Sequence, residues 1–257
     1  MATLNRGGVQ LYYEVHGAGP VVLLTHGFSA TSQMWRGQVQ PLSARHRLLL
    51  WDMRGHGRSD SPEDGAQYSE EATVADMAAL LDAAEAPQAI VGGLSLGGYM
   101  SLAFARAYPH RVRALLIVDT GPGFKNDAAR EEWNEHAEAT AQALHANGLE
   151  HLKVLSPERA TSTHRSAAGL VHAARGMLTQ RDARVIQSLP NIRVPTLIIV
   201  GGDDKPFLNA STYMAGKIPG AQLVVLPKAG HASNMDQPQA FNTCVTDFLA
   251  QVEQGQE

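Results

Sequence analysis

The sequence predicts an α/β fold: a mostly parallel central sheet with helices on both faces, plus a helical cap inserted between two strands. Two observations carry this expectation. Short, near-continuous apolar runs alternate with longer segments of helical period, the pattern of parallel strands covered on both sides. The alternation lapses once, from about Phe124 to Pro190, where only helical segments are found.

Taken in order, residues 9–16 alternate as a half-exposed strand does, and 21–25, 47–51, 89–91, 114–118 and 194–200 are apolar runs. Leu223-Val-Val-Leu226 is a further run, closed by Pro227. Between the runs lie amphipathic stripes: Val74, Met77, Leu81 and Ala84; then Met100, Ala103, Phe104 and Ala107. The clearest stripe is Phe241, Cys244, Val245, Phe248, Leu249 and Val252, on which Cys244 reads as a core residue. The insertion offers helices over 127–147, about 165–180 and 182–189. The expected division is therefore a core domain of residues 1–121 and 191–257 with a helical cap over 122–190. The polar end from Glu253 to Glu257 is expected to fray.

Composition excludes several classes. The chain has 257 residues, 44 % of them hydrophobic, enough to bury a core. Lys and Arg number 21 against 25 Asp and Glu, so the basic excess of a nucleic-acid-binding surface is missing. No run reaches the ~18 apolar residues of a membrane span. The single cysteine, Cys244, allows neither an internal disulfide nor a thiolate zinc site. The first twenty residues lack a basic start followed by an apolar run, so no secretory signal is expected and a cytoplasmic location is.

The most informative segment is Ala89-Ile-Val-Gly-Gly-Leu-Ser-Leu-Gly-Gly98, which leads from a strand into a helix over 98–108. Within it lies Gly93-x-Ser95-x-Gly97. A sharp strand-to-helix turn strains its central residue and leaves no room for side chains two positions either way, which is where the glycines stand. Ser95 is thereby exposed at the carboxyl end of the sheet and at a helix N-terminus, where developing negative charge is favoured. Phosphate-binding readings fail. No choice among the glycines gives the dinucleotide spacing, and Tyr99 stands where a P-loop needs Lys.

A serine hydroxyl needs a base. Of eleven histidines, His231 follows the run 223–226 on a loop at a strand's carboxyl end, where open α/β sheets gather their site residues. His110, His136, His145, His151, His164 and His172 sit at a helix end or in the insertion. A third group must orient the imidazole. Asp204, after the run 194–200, is the choice, with Asp203 its neighbour and Asp119 and Asp236 weaker alternatives. Two backbone donors should hold the oxyanion, Leu96 after Ser95 and Phe28 in Thr25-His-Gly-Phe28. His26 is expected to hold that loop in place.

Together these residues resemble the α/β-hydrolase superfamily: His26-Gly-Phe28, Trp51-Asp-Met-Arg-Gly-His-Gly-Arg-Ser-Asp60, Gly93-Leu-Ser-Leu-Gly-Gly98, Gly201-Gly-Asp-Asp204 and Gly230-His231, in that order. Within it the chain is similar to small bacterial carboxylesterases and to the 3-oxoadipate enol-lactonase group. The resemblance implies the α/β-hydrolase fold, a triad of Ser95, Asp204 and His231, an oxyanion hole of Phe28 and Leu96, and no metal or organic cofactor. It places Asp52 to Asp60 in a structural turn, so Arg54 and His56 stay outside the chemistry. Ser95 stands where haloalkane dehalogenases and most epoxide hydrolases carry aspartate. The implied activity is hydrolysis of a small-molecule ester through an acyl-enzyme. Alternatives on the same triad are a lactonase, a perhydrolase or a carbon–carbon lyase, and a non-catalytic binding protein is the contrasting class. Trp133, Leu144, Leu149, Leu152, Leu170, Val171, Met177 and Leu178 are candidates for an acyl pocket or for packing the insertion down. Arg165 and Arg175 are candidates for a substrate carboxylate or for solvated helix charges.

Overall fold

The computed structural model describes residues 2–255. Its eight strands are β1 (Ala2–Arg6), β2 (Val9–His16), β3 (Val21–Thr25), β4 (Arg47–Trp51), β5 (Ala89–Leu94), β6 (Val112–Val118), β7 (Thr196–Gly201) and β8 (Gln222–Leu226). They form one sheet in the order β1-β2-β4-β3-β5-β6-β7-β8. β2 is antiparallel to β1 and β4, and the remaining pairs are parallel. The helices are α1 (Arg36–Ser43), α2 (Glu70–Ala83), α3 (Leu96–Ala107), α4 (Asp127–Asn147), α5 (Pro157–Ala160), α6 (Ala167–Ala173), α7 (Arg184–Ser188), α8 (Lys205–Lys217), α9 (Ser233–Asp236) and α10 (Pro238–Gln254).

Alternation along the strands divides the core. Leu23, Leu49, Val91, Leu115, Ile117 and Ile198 face a cluster with Met77 and Leu81 of α2 and Met100 and Phe104 of α3. Val22, Leu24, Leu48, Leu50, Ile90 and Ile199 face the opposite cluster, with Phe241, Val245, Phe248, Leu249 and Val252 of α10. Cys244 packs half-buried against this second cluster. α3 departs from a simple stripe. Every residue from Leu96 to Ala105 is buried, and Ala107 is exposed. The helix is enclosed because it packs on the sheet, on α2 and on α7 together.

One strand is added and two local expectations change. Strand β1 does not appear in the apolar pattern, because Ala-Thr-Leu-Asn-Arg at a sheet edge is largely exposed. It pairs with β2 through Gly7 and Gly8, whose φ values of +59° and +91° suit a two-residue hairpin. The helix expected over about 165–180 divides into α6 and a π-helical turn, Ala174–Leu178. The carboxyl end is helical to Gln254, with Glu253 Oε1 2.8 Å from His46 Nε2. Gln256 and Glu257, the rest of the expected frayed end, lie outside the described residues. Among the described residues no helix is long and apolar enough to cross a membrane.

Candidate active site

Ser95 joins β5 directly to α3 with φ 56° and ψ −119°, a backbone region that a side chain enters only under strain. The turn is held from both sides. Its N–H donates to the Val118 carbonyl at 2.9 Å, and its carbonyl accepts from Thr120 Oγ1 at 2.7 Å and the Tyr99 N–H at 3.0 Å. The flanking glycines are required by contact. A Cβ on Gly93 would lie 2.6 Å from the Thr25 carbonyl oxygen, and one on Gly97 would overlap that same oxygen. The Ser95 side chain makes no hydrogen bond to any of the described residues.

Asp204 and His231 come together as the order of strands suggests. β7 and β8 are parallel neighbours, so their carboxyl ends lie side by side. Asp204 stands immediately before α8 and is buried; its Oδ2 accepts from His231 Nδ1 at 2.9 Å. The imidazole stacks on Phe207, ring centroids 5.0 Å apart. Asp203 is exposed. Asp236 accepts the Gly230 N–H at 2.8 Å and so holds the loop in front of His231.

Asp119 lies behind both loops. It is fully buried, with Oδ1 accepting the Gly201 N–H at 2.7 Å and Oδ2 the Ser233 N–H at 2.9 Å. One carboxyl group thus pins the chain just before Asp204 and just after His231. Burial pushes it up to about 7, against the opposing pull of those hydrogen bonds and of His231.

The loop after β3 is built around buried imidazoles. His26 is fully buried, its Nδ1–H donating to the Gly27 carbonyl at 2.7 Å while Nε2 accepts the Met53 N–H at 2.9 Å. Both ring nitrogens are committed, which holds the backbone leading into Phe28. The Phe28 N–H donates to no acceptor among the described residues. Leu96 opens α3, so its N–H has no partner one turn back. From the helical segment, His164 donates Nε2–H to the Ser29 carbonyl at 3.1 Å and accepts the Gly57 N–H at Nδ1, 3.0 Å. His56 lies between, 5.0 Å from His26 and 5.9 Å from His164 by ring centroid. Arg54 is taken up by a two-bond ion pair with buried Asp76.

This cluster fixes a pH dependence of stability. Burial lowers His26, His56 and His164, the last to about 4 from 6.5. Below 6.5 the unfolded chain therefore gains protons at these sites that the folded chain does not, so stability falls as pH drops, for His164 until about 4. Asp119 acts oppositely. Between about 7 and 3.8 it holds a proton when folded that it loses when unfolded, so its contribution rises as pH drops. His46 is lowered by burial in the same direction, and with these histidines acting together against Asp119 the thermal midpoint is expected to be lower at pH 5 than at pH 7. His164→Gln should shrink that drop in calorimetric scans at the two pH values. An unchanged drop in the variant would place the titration elsewhere.

Above Ser95 lies a cavity of about 300 Å³, lined by Ser95, Leu96, Tyr99, Thr120 to Phe124, Trp133, Leu178, Gln180, Pro206, Phe207 and Ala210. The helical segment between β6 and β7 contributes only Trp133, Leu178 and Gln180 beyond its first residues. Leu144, Leu152, Leu170, Val171 and Met177 are buried in the core instead, and Leu149 packs against it. Neither arginine lines the cavity. Arg165 pairs with Asp60, and Arg175 donates twice to Glu138 at 2.8 and 2.9 Å. Gln180 is a lining residue that the sequence does not single out, since an isolated Gln in a helical stretch carries no motif.

A mostly parallel sheet with a strained serine turn and an Asp–His pair at its carboxyl edge defines a class of enzyme. A sequence model of the alpha/beta hydrolase family matches residues 21–243, and the chain belongs to that family. It is 31 % identical to the 2-hydroxy-6-oxo-2,4-heptadienoate hydrolase of Pseudomonas putida over 261 residues, 95 % of this chain and 94 % of that one. Among solved structures, a thermophilic esterase from Thermogutta terrifontis is 29 % identical with a TM-score of 0.80, covering 98 % of this chain and 97 % of that one. The enol-lactonase from Burkholderia xenovorans is 27 % identical with a TM-score of 0.79, covering 96 % and 99 %.

Proposed function

We propose that this hydrolase cleaves carboxylic esters of small, uncharged acids through an acyl-enzyme on Ser95. The reading is carried by the 2.9 Å contact between His231 Nδ1 and buried Asp204, made at the same sheet edge as the Ser95 turn. Asp204 fixes the imidazole with Nδ1 protonated, leaving Nε2 free to act as base. As Ser95 Oγ attacks the ester carbonyl, its proton passes to His231. The oxyanion is received by the free N–H groups of Phe28 and Leu96. The carbon–oxygen bond to the alcohol then breaks, and His231 returns the proton to the departing oxygen. Water repeats the cycle, its proton going to His231 and then to Ser95 as the acid is released. The helical segment 122–190 acts as a cap that closes the acyl cavity.

The cavity favours an ester over a lactone that carries a carboxylate. None of its lining side chains is charged, and an unpaired anion in such a site would be costly. The test combines a labelling reagent with a substrate panel. An organophosphonate should inactivate the protein with one adduct on Ser95, because labelling requires an activated hydroxyl. Nitrophenyl esters from acetate to decanoate, with an anionic enol-lactone beside them, should show the best kcat/KM at short acyl chains. Added peroxide should yield little peracid. Labelling without turnover of any ester would remove this function, as would a preference for the anionic lactone.

A further inference from the structure

The polar side chains around the cavity can be accounted for individually. Thr120 Oγ1 donates to the Ser95 carbonyl, 2.7 Å, and the Tyr99 hydroxyl donates to Glu70 at 2.8 Å, away from the cavity. Trp133 Nε1–H donates to the Leu178 carbonyl at 2.8 Å. Ser95 is assigned to the reaction. That leaves Gln180, whose residue is 8 % exposed and whose Oε1 is buried without a hydrogen-bond partner among the described residues. A buried amide oxygen left unpaired is costly, so its presence calls for an explanation.

The residue is also held deliberately in place. The Asn134 side chain of α4 bonds the Gln180 backbone twice: its Oδ1 accepts the Gln180 N–H at 2.8 Å and its Nδ2–H donates to the Gln180 carbonyl at 2.9 Å. With the main chain clamped, the amide is directed against Gly123, another lining residue. A Cβ there would stand 2.7 Å from Gln180 Oε1, and its φ of +88° also favours glycine. The clamp and the glycine seat one uncharged polar group, the carboxamide itself, in a lining that carries no charged side chain.

We infer that Gln180 is a specificity residue: its carboxamide recognises an uncharged polar group, a ketone, hydroxyl or amide, on the acyl part of the substrate. This rests on the ester-hydrolase reading above. A carboxamide carries both a donor and an acceptor and can turn to present either, so it suits neutral polar groups and offers nothing to balance a carboxylate. Alignment of the acyl group by this bond would hold the ester carbonyl over Ser95.

The experiment compares two nitrophenyl esters of matched length, hexanoate and 5-oxohexanoate, as a ratio of kcat/KM. Wild type should favour the oxo ester by about tenfold, the scale of one well-placed neutral hydrogen bond. Gln180→Leu should bring the ratio close to one. Gln180→Met, of similar length without the amide, should do the same and serves if the first variant folds poorly, as judged by its melting curve. Gln180→Glu should not restore the ratio. A wild-type ratio near one, or a high ratio that survives both apolar variants, overturns the specificity role while leaving ester hydrolysis intact. Cleavage of neither ester by wild type would strike the underlying reading as well.

Discussion

Ser95→Ala and His231→Ala should each lower kcat for a short nitrophenyl ester by about 10⁴-fold or more, and the double variant should be little worse than either. The lack of additivity is the informative part. If the hydroxyl and the imidazole act as one unit, removing either already abolishes the proton-coupled attack, and what remains comes from the backbone donors and from substrate binding. Ser95→Ala keeps a Cβ in the same strained turn, at φ 56°, so the strain is carried over. The residue is not part of either core cluster. Its thermal midpoint should therefore stay within about 2 °C of wild type, since little buried contact changes. His231→Ala loses the ring stacked on Phe207 and leaves buried Asp204 unpaired, so a modest drop in stability is expected there. Near wild-type turnover in either variant, measured by initial rates and corrected for folded fraction, would contradict the triad.

How much of this could be read before the structure depended on how local each constraint is. The serine turn is legible because its physics is short-ranged: Gly93 and Gly97 stand within two residues of Ser95 and meet the same Thr25 carbonyl. The central strands are legible because burial on both faces writes continuous apolar runs. Edge strand β1 is not, since its outer residues face solvent, although Gly7-Gly8 before Val9 was an available hairpin signal. The helical segment is the least legible part. Which of its apolar residues reach the cavity depends on the rotation of α4 and on a π-helical turn, and neither leaves a periodic mark. Gln180 is fixed by Asn134, 46 residues earlier, and only tertiary structure reveals that pairing.

The sequence leaves several carboxylates open as the acid, and they differ in what each one touches. Asp204→Asn should lower kcat by about 10³–10⁴-fold with a small change in stability, because an amide in that place can hold the imidazole in the wrong tautomer. Asp203→Asn, altering an exposed side chain, should leave both nearly unchanged. Asp119→Asn should give the reverse of Asp204→Asn. Its two oxygens both accept backbone N–H groups, and an amide would set its own N–H₂ against one of them. A buried donor without an acceptor costs about 1–3 kcal/mol, so melting should suffer more than catalysis. Any loss of rate should come through displacement of the loops bearing Asp204 and His231. The three variants, compared by kcat at saturating ester and by melting temperature, separate the candidates because each predicts a different pair of outcomes. If Asp119→Asn lost the most rate while Asp204→Asn kept most of it, the imidazole would be served from β6, and the 2.9 Å contact to Asp204 would be a structural bond only.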